Sequence, residues 1–376
     1  MARRAVRWSL VVAACCALGT LVGMAPTLNS AAASSPATTG TTADAHARSE
    51  HSDFLRGMTV SCPTWGPVWG SPAMADTLAE LRALGVEWIA LHPYAGVGRD
   101  GSVRARSAAD LDFLDRAVDY ARDADVQLFW KPHLAYWGSF EWRGAITFGD
   151  DAAAWRRFFD GYRAFIVDQA RFAQAAGVPL FSIGLEYEET FGPHEAEWRR
   201  LITEVRAVYD GRLTYSANWD RVTEVPIWDA VDLIGVQFYY PLSHEPEPSD
   251  AALEAGWDRA LAELRTLSER HAKPVLFTEI GYDTGPRVAA EPWATFGRAS
   301  GADRALRRRL MELAMRRAPT ADFVEGMFWW KWIPNRSGTR DFPMESADAR
   351  DVLRAFWTDD SGRAGLRTTR RRAADP

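Results

Sequence analysis

The sequence predicts an α/β fold, a single-domain (β/α)8 barrel of parallel strands, and three observations predict it. Strand-like and helix-like segments alternate from about Phe54 to Trp357, the order that places helices over a parallel sheet. Eight strand-like segments can be counted, each followed by a helix-like one, and no shorter repeat lies beneath that alternation. Two of the strands also share one design, a proline-entered apolar run that delivers a glutamate at its exit: Pro179-Leu180-Phe181-Ser182-Ile183-Gly184-Leu185-Glu186 and Pro274-Val275-Leu276-Phe277-Thr278-Glu279.

The first strand is Gly57-Met58-Thr59-Val60, followed by a helix from about Met74 to Leu84 that stops at Gly85. The second strand, Trp88 to Leu91, exits into His92-Pro93-Tyr94. A helix then opens at Ser107 with Asp110 three residues on, a capping-box arrangement, and carries Leu111, Leu114, Val118 and Ala121 on one face. The third strand, Val126 to Trp130, exits into Lys131-Pro132-His133. A tryptophan-bearing loop, Tyr136-Trp137-Gly138 and Trp142-Arg143-Gly144, precedes a long helix from about Asp151 to Ala176 that ends at Gly177. The fourth strand leads to Glu186, and a helix near His194 to Tyr209 follows. Strand five is Leu213 to Trp219, and its short connection carries the weakest helical pattern. Strand six, Leu233 to Phe238, ends in Tyr239-Tyr240-Pro241. A helix from Asp250 to His271 leads to the Glu279 strand, and a basic helix, Asp303 to Arg317, to the eighth, Gly326 to Trp332.

At 376 residues, 47% hydrophobic and 25% charged, the chain has ample material for a large core. The formal net charge of −6 argues against a nucleic-acid partner. Seventeen tryptophans exceed what packing calls for, and flat aromatic faces suit the apolar C–H faces of sugar rings. Arg3, Arg4 and Arg7 precede an uncharged run from Trp8 to about Ala25 and then Ala31-Ala32-Ala33, the layout of a secretory signal peptide over residues 1–33. A lipoprotein site at Val12-Ala13-Ala14-Cys15 and an uncleaved membrane anchor are the rival readings. Residues 34–52 read as a flexible linker, 53–358 as the barrel and 359–376 as a disordered basic tail. The expectation is a secreted or extracellular monomer with no stable membrane partner after cleavage. Cys15 and Cys16 lie in the leader, so Cys62 alone remains and no intramolecular disulfide is expected. The seven histidines show no paired ligand spacing and no glycine-rich phosphate loop is present, so neither a metal nor another cofactor is expected.

A glutamate at a strand exit is ordinarily a surface turn. Two of the same design, separated by the interval from 186 to 279, are a different matter, because that interval equals about three units of roughly 31 residues in an eight-unit barrel. Both acids then stand on one rim, three strands apart. Paired carboxylates on a rim are what glycoside cleavage requires, one to protonate the leaving oxygen and one to attack or to activate water.

Ser182-Ile183-Gly184-Leu185-Glu186, Asn218-Trp219, Asp232-Leu233-Ile234-Gly235 with Tyr239-Tyr240-Pro241-Leu242, Lys273-Pro274 with Thr278-Glu279-Ile280-Gly281-Tyr282, and Phe328-Trp329-Trp330-Lys331-Trp332 together resemble glycoside hydrolase family 113. The likeness spans the whole folded part, in order, at strand ends. It implies a TIM barrel, a secreted β-1,4-mannanase of the clan of retaining glycosidases, and a mannan or glucomannan substrate. It further implies that Glu186 is the general acid/base and Glu279 the nucleophile. The clan's asparagine before the acid/base is Leu185 here, and Asn218 is expected to supply part of the lost hydrogen bond. Glu188 and Glu189 compete with Glu186 for its role, a solvated loop being their ordinary reading. Tyr239 is expected to orient Glu279, and Trp330 or Trp329 to form the floor under the sugar. Lys131 and His133 are expected to bind sugar hydroxyls or else to cap strands, with His92 more structural than functional. Trp219 belongs to the same orienting or substrate-binding group, and Trp137 and Trp142 line outer subsites or pack their loop. A same-clan glucanase or xylanase, or a non-catalytic glycan-binding barrel, are the alternatives.

Overall fold

The computed structural model describes residues 54–297, 299–335 and 341–358; the expected leader, linker and basic tail lie outside these described residues. In chain order the strands are β1 (Leu55–Val60), β2 (Trp88–Leu91), β3 (Tyr94–Val97), β4 (Val103–Arg104), β5 (Gln127–Trp130), β6 (His133–Ala135), β7 (Leu180–Leu185), β8 (Arg212–Asn218), β9 (Leu233–Phe238), β10 (Val275–Ile280) and β11 (Val324–Trp332). Eight of them close into a barrel in the order β1-β2-β5-β7-β8-β9-β10-β11, every neighbouring pair parallel. The helices are α1 (Pro72–Ala83), α2 (Asp112–Asp123), α3 (Ala152–Ala175), α4 (Glu195–Arg206), α5 (Asp250–His271), α6 (Gly301–Arg317) and α7 (Ala347–Trp357).

Alternation along the strands separates two apolar layers. Leu55, Ala90, Phe129, Leu180, Leu233, Leu276 and Phe328 form a small cluster of their own, one residue from each of seven barrel strands, and fill the interior. The rings of Phe129 and Phe328 meet there at 5.0 Å. Gly57 makes the room, since a Cβ at that position would stand 2.3 Å from the Phe328 ring. The alternate residues, among them Val275, Phe277 and Ile280 on β10, join the larger core between strands and helices. Truncating a ring as enclosed as Phe328 to alanine costs about 3–5 kcal/mol.

Three elements differ from the sequence expectation. No α-helix joins β8 to β9; two 3-10 turns, Val222–Glu224 and Trp228–Ala230, make the connection. Pro226 sits between them, lacks an N–H and restricts the residue before it, so a helix cannot run through. The Ser107–Asp110 capping box is not formed: the Ser107 hydroxyl bonds Asp168 at 2.8 Å, and α2 starts only at Asp112. A capping box exists instead at α6, between Ser300 and Asp303. Finally, β4, β3 and β6 form a three-stranded sheet in segments read as loops, with β3 and β6 parallel and Tyr94 opposite His133. It extends β2 and β5 beyond the barrel.

Candidate active site

Glu186 stands one residue beyond β7 and Glu279 is the penultimate residue of β10, three steps apart around the barrel as expected. Strict alternation would point Glu279 outward with Val275 and Phe277. The strand avoids this with a bulge: Phe277 and Glu279 pair with consecutive residues of β9, Val236 and Gln237, which leaves Thr278 as an extra residue. One inserted residue reverses the facing of the residues beyond it, so Glu279 turns into the mouth.

There its carboxylate has two donors. Lys131, immediately after β5 on the opposite side of the barrel, places Nζ 2.6 Å from Oε1, and the Tyr239 hydroxyl donates to Oε2 at 3.1 Å. The lysine also donates to the Thr278 carbonyl at 3.2 Å and is wholly buried. Burial lowers its pKa while the Glu279 charge opposes that. Burial and the same charge push the Tyr239 phenol well above its ordinary value, so it acts as a neutral donor.

Glu186 is held differently. Its φ is +54°, in the left-handed region that costs a side chain roughly 1 kcal/mol or more, and its N–H bonds the Ser216 carbonyl at 2.9 Å. The next residue is clamped as well: Tyr187 N–H donates to the Tyr215 hydroxyl at 2.6 Å, and the Tyr187 hydroxyl accepts from Leu134 N–H at 2.8 Å. The Glu186 carboxyl meets Arg143 Nη1 at 3.1 Å. Burial pushes its pKa up to about 7; the charge of Glu279 adds to this, and Arg143 and Lys131 work against it.

The two competing acids separate clearly. Glu189 is half exposed and pairs with Arg221 at 3.1 Å, a solvated loop position. Glu188 is buried, contrary to that reading, and its Oε1 accepts the Asn218 N–H at 2.8 Å. Burial pushes this carboxyl up to about 8 against that hydrogen bond.

Of the aromatic candidates, Trp330 reaches the site, with Lys131 Nζ 5.6 Å and Lys331 Nζ 5.1 Å from its ring centroid. Trp329 faces the other way, fully enclosed in the outer core against the edge of Tyr282, and is not a floor. His133 is likewise fully buried, stacked on His92 at 4.6 Å, and neither ring has a hydrogen-bond partner in the protein. Lys131, expected on sugar hydroxyls, has its ammonium on Glu279. Asn218 accepts the Trp219 N–H with its side-chain oxygen at 3.0 Å, and Trp219 stacks on Trp293 at 5.5 Å. The Trp142 indole covers Gly144, where a Cβ would lie 2.0 Å from the ring, so it packs its own turn. Trp137 is 53% exposed. Cys62 is free, bonds the Thr64 carbonyl, and burial pushes its thiol up to about 12. Among the described residues no group of three or more His, Cys, Asp or Glu is placed to hold a metal ion.

Arg143 is the site residue that the sequence does not reveal. Nothing distinguishes it within its loop until folding brings that loop against Glu186, 43 positions away.

A carboxylate held by two donors, three strands around a barrel mouth from a second carboxyl whose pKa is pushed up to about 7, is an apparatus for splitting acetals. The protein is a glycoside hydrolase. More narrowly, the chain belongs to glycoside hydrolase family 113, whose model matches residues 58–348. The solved family 113 β-mannanase AaManA from Alicyclobacillus acidocaldarius, in complex with ManMIm, is 25% identical over 81% of this chain and 97% of its own, with a TM-score of 0.70. A second family 113 β-1,4-mannanase is 21% identical over 81% of this chain and 99% of its own, also at 0.70. The endo-β-1,4-mannanase from Thermotoga petrophila shares the fold at 12% identity, 81% and 77% coverage and a TM-score of 0.52. No curated protein matches the chain.

Proposed function

We propose that the protein is a retaining β-1,4-mannanase acting on mannan or glucomannan outside the cell. The observation that carries the mechanism is the unlike treatment of two buried carboxyls. Glu279 has a buried ammonium and a phenol on its oxygens, which orient it as an acceptor of bonds and suit it to attack the anomeric carbon. Glu186, pushed up to about 7, keeps its proton at pH values below that, where an ordinary carboxyl has lost it, and hands it to the leaving oxygen as the glycosidic bond breaks.

Attack by Glu279 joins it to the anomeric carbon as an ester and removes its negative charge. That charge is one of the causes that raise Glu186, so its loss lets Arg143 and Lys131 draw the Glu186 pKa down. Glu186 has just given up its proton, and the two cations favour it in that state. It then takes a proton from water, which opens the ester and returns the anomeric carbon to its starting configuration. Trp330 serves as the apolar floor beneath the reacting sugar.

The substrate rests on family membership and on the β-mannanase from Alicyclobacillus acidocaldarius. Export rests on the leader-like sequence from Arg3 to Ala33. Incubation with β-1,4-mannan, carboxymethylcellulose and xylan in parallel, with Glu279→Ala as control, tests the reading. Mannan oligosaccharides released only by the unmutated protein support it. Cleavage of another glycan alone keeps the mechanism and removes the substrate, and mannan binding without cleavage favours a glycan-binding barrel.

A further inference from the structure

Among the described residues two large apolar side chains are more than half exposed, Trp65 at 54% and Trp137 at 53%, and they are neighbours. Their rings stand 6.4 Å apart at 82°, so one presents its face where the other presents its edge. Both rest on Tyr94, at 6.0 and 5.4 Å. Tyr94 in turn touches His92 and His133 at 5.2 and 5.6 Å, and His92 lies 5.9 Å from Trp330. Ring contacts therefore link Trp330 to the rim above β1 and β5, passing through His92 and His133, which lie fully buried beneath the surface.

The backbone that presents Trp65 is constrained. That residue lies between Pro63 and Pro67, and the following Gly66 takes φ +105°, a turn that side chains seldom adopt. Trp137 lies just beyond β6, whose parallel partner β3 carries Tyr94. Two open indoles set at right angles and braced from behind form a corner. Exposed apolar surface of that kind, on loops that follow barrel strands at the same end as the two glutamates, marks a binding site.

We propose that Trp65, Trp137 and Tyr94 form an outer sugar subsite, which clasps a pyranose ring of the same β-linked glycan at least one unit beyond the ring on Trp330. This deepens the glycosidase reading and rests on it. The corner takes the apolar C–H face of a ring against one indole and the ring's edge against the other, and leaves the sugar hydroxyls to water. It makes affinity depend on chain length.

The test measures dissociation constants by titration in the Glu279→Ala background, so that turnover does not interfere. The ligands are β-1,4-linked mannotriose and mannohexaose, with cellohexaose and xylohexaose beside them. Trp65→Ala and Trp137→Ala are each expected to weaken hexaose binding about tenfold, with a clearly smaller loss for the triose. Trp65→Tyr, which keeps a flat face, is expected to recover most of the loss and excludes a mere folding defect. Equal losses at both lengths, no loss at all, or wild-type dimers that Trp65→Ala dissociates without altering the length dependence would each overturn the subsite. The two readings fail separately. A length-dependent loss on a hexaose that the wild-type enzyme does not cleave leaves the clasp and removes the proposed activity. Mannan cleavage with unaltered hexaose binding in the variants does the reverse.

Discussion

Lys131 Nζ stands 2.6 Å from Glu279 Oε1 across the full width of the barrel mouth, with the ammonium wholly enclosed. The pair links β5 to β10, which share no edge, through the centre of the site. Removing one member of a buried pair leaves the other uncompensated, at a cost of about 3–5 kcal/mol. Lys131→Met is therefore expected to lower the unfolding free energy by that order and to reduce kcat at least about tenfold. Lys131→Arg is not expected to rescue it, because the buried ammonium already stands 2.6 Å from Glu279 and a larger, planar guanidinium cannot repeat that contact and the Thr278 bond without displacing its neighbours. Denaturant melts and steady-state kinetics on the two variants check this.

On the proposed mechanism the pH dependence of activity is set by Glu186. Its protonated form would be the active one and its pKa is pushed up to about 7, so activity should fall as pH rises through about 7. Arg143 favours the ionised form, so removing it raises the pKa further. Arg143→Met should then shift the alkaline limb of kcat/KM to higher pH. A limb that stays in place or moves down would show that Arg143 does not act on Glu186.

A leaving group that needs no proton separates the two roles proposed for Glu186. With an aryl glycoside of low leaving-group pKa, Glu186→Ala should form the glycosyl-enzyme readily and hydrolyse it slowly, giving a burst. Added azide should restore turnover and yield a glycosyl azide of unchanged anomeric configuration. On mannan, whose leaving group does need the proton, the same variant should be slower than wild type by about 10²–10⁴-fold.

Stability should also depend on pH. Glu186 and Glu188 are raised from 4.5 to about 7 and about 8. Groups raised on folding bind more protons in the folded state, so their contribution is complete below about pH 4.5 and is lost as pH rises through the folded values. The melting temperature should decline from pH 5 to 8. Glu188→Gln should flatten the upper part of that decline while its amide oxygen still accepts the Asn218 N–H. Glu188→Leu, which leaves that N–H unpaired, should cost about 1–3 kcal/mol at any pH.

The barrel and its two glutamates were legible because hydrophobic period and chain length report directly on strand order. Facing was not: period two along β10 points Glu279 at the helices, and only the bulge at Thr278 reverses it. The left-handed turn at Glu186 is equally hidden, since no glycine marks it. Ser107 carried the pattern of a capping box yet bonds Asp168, a partner from another helix that local sequence cannot supply. The adjacent glutamates 188 and 189 read alike until the fold buries one beside Asn218 and leaves the other to Arg221. Trp329 and Trp330 were equivalent candidates for the floor, and the strand's alternation sent one into the outer core. Arg143 and Trp65 are given their place by contacts between neighbouring loops, with Glu186 for the one and with Tyr94 and Trp137 for the other, which the sequence does not pair.

The most direct measurement is the anomeric configuration of the first product. Proton NMR spectra taken during the first minutes of mannohexaose cleavage, before mutarotation, should show the β-anomer forming first with the unmutated protein and no product with Glu279→Ala. An initial α-anomer, or undiminished cleavage by Glu279→Ala, would contradict a double displacement through Glu279.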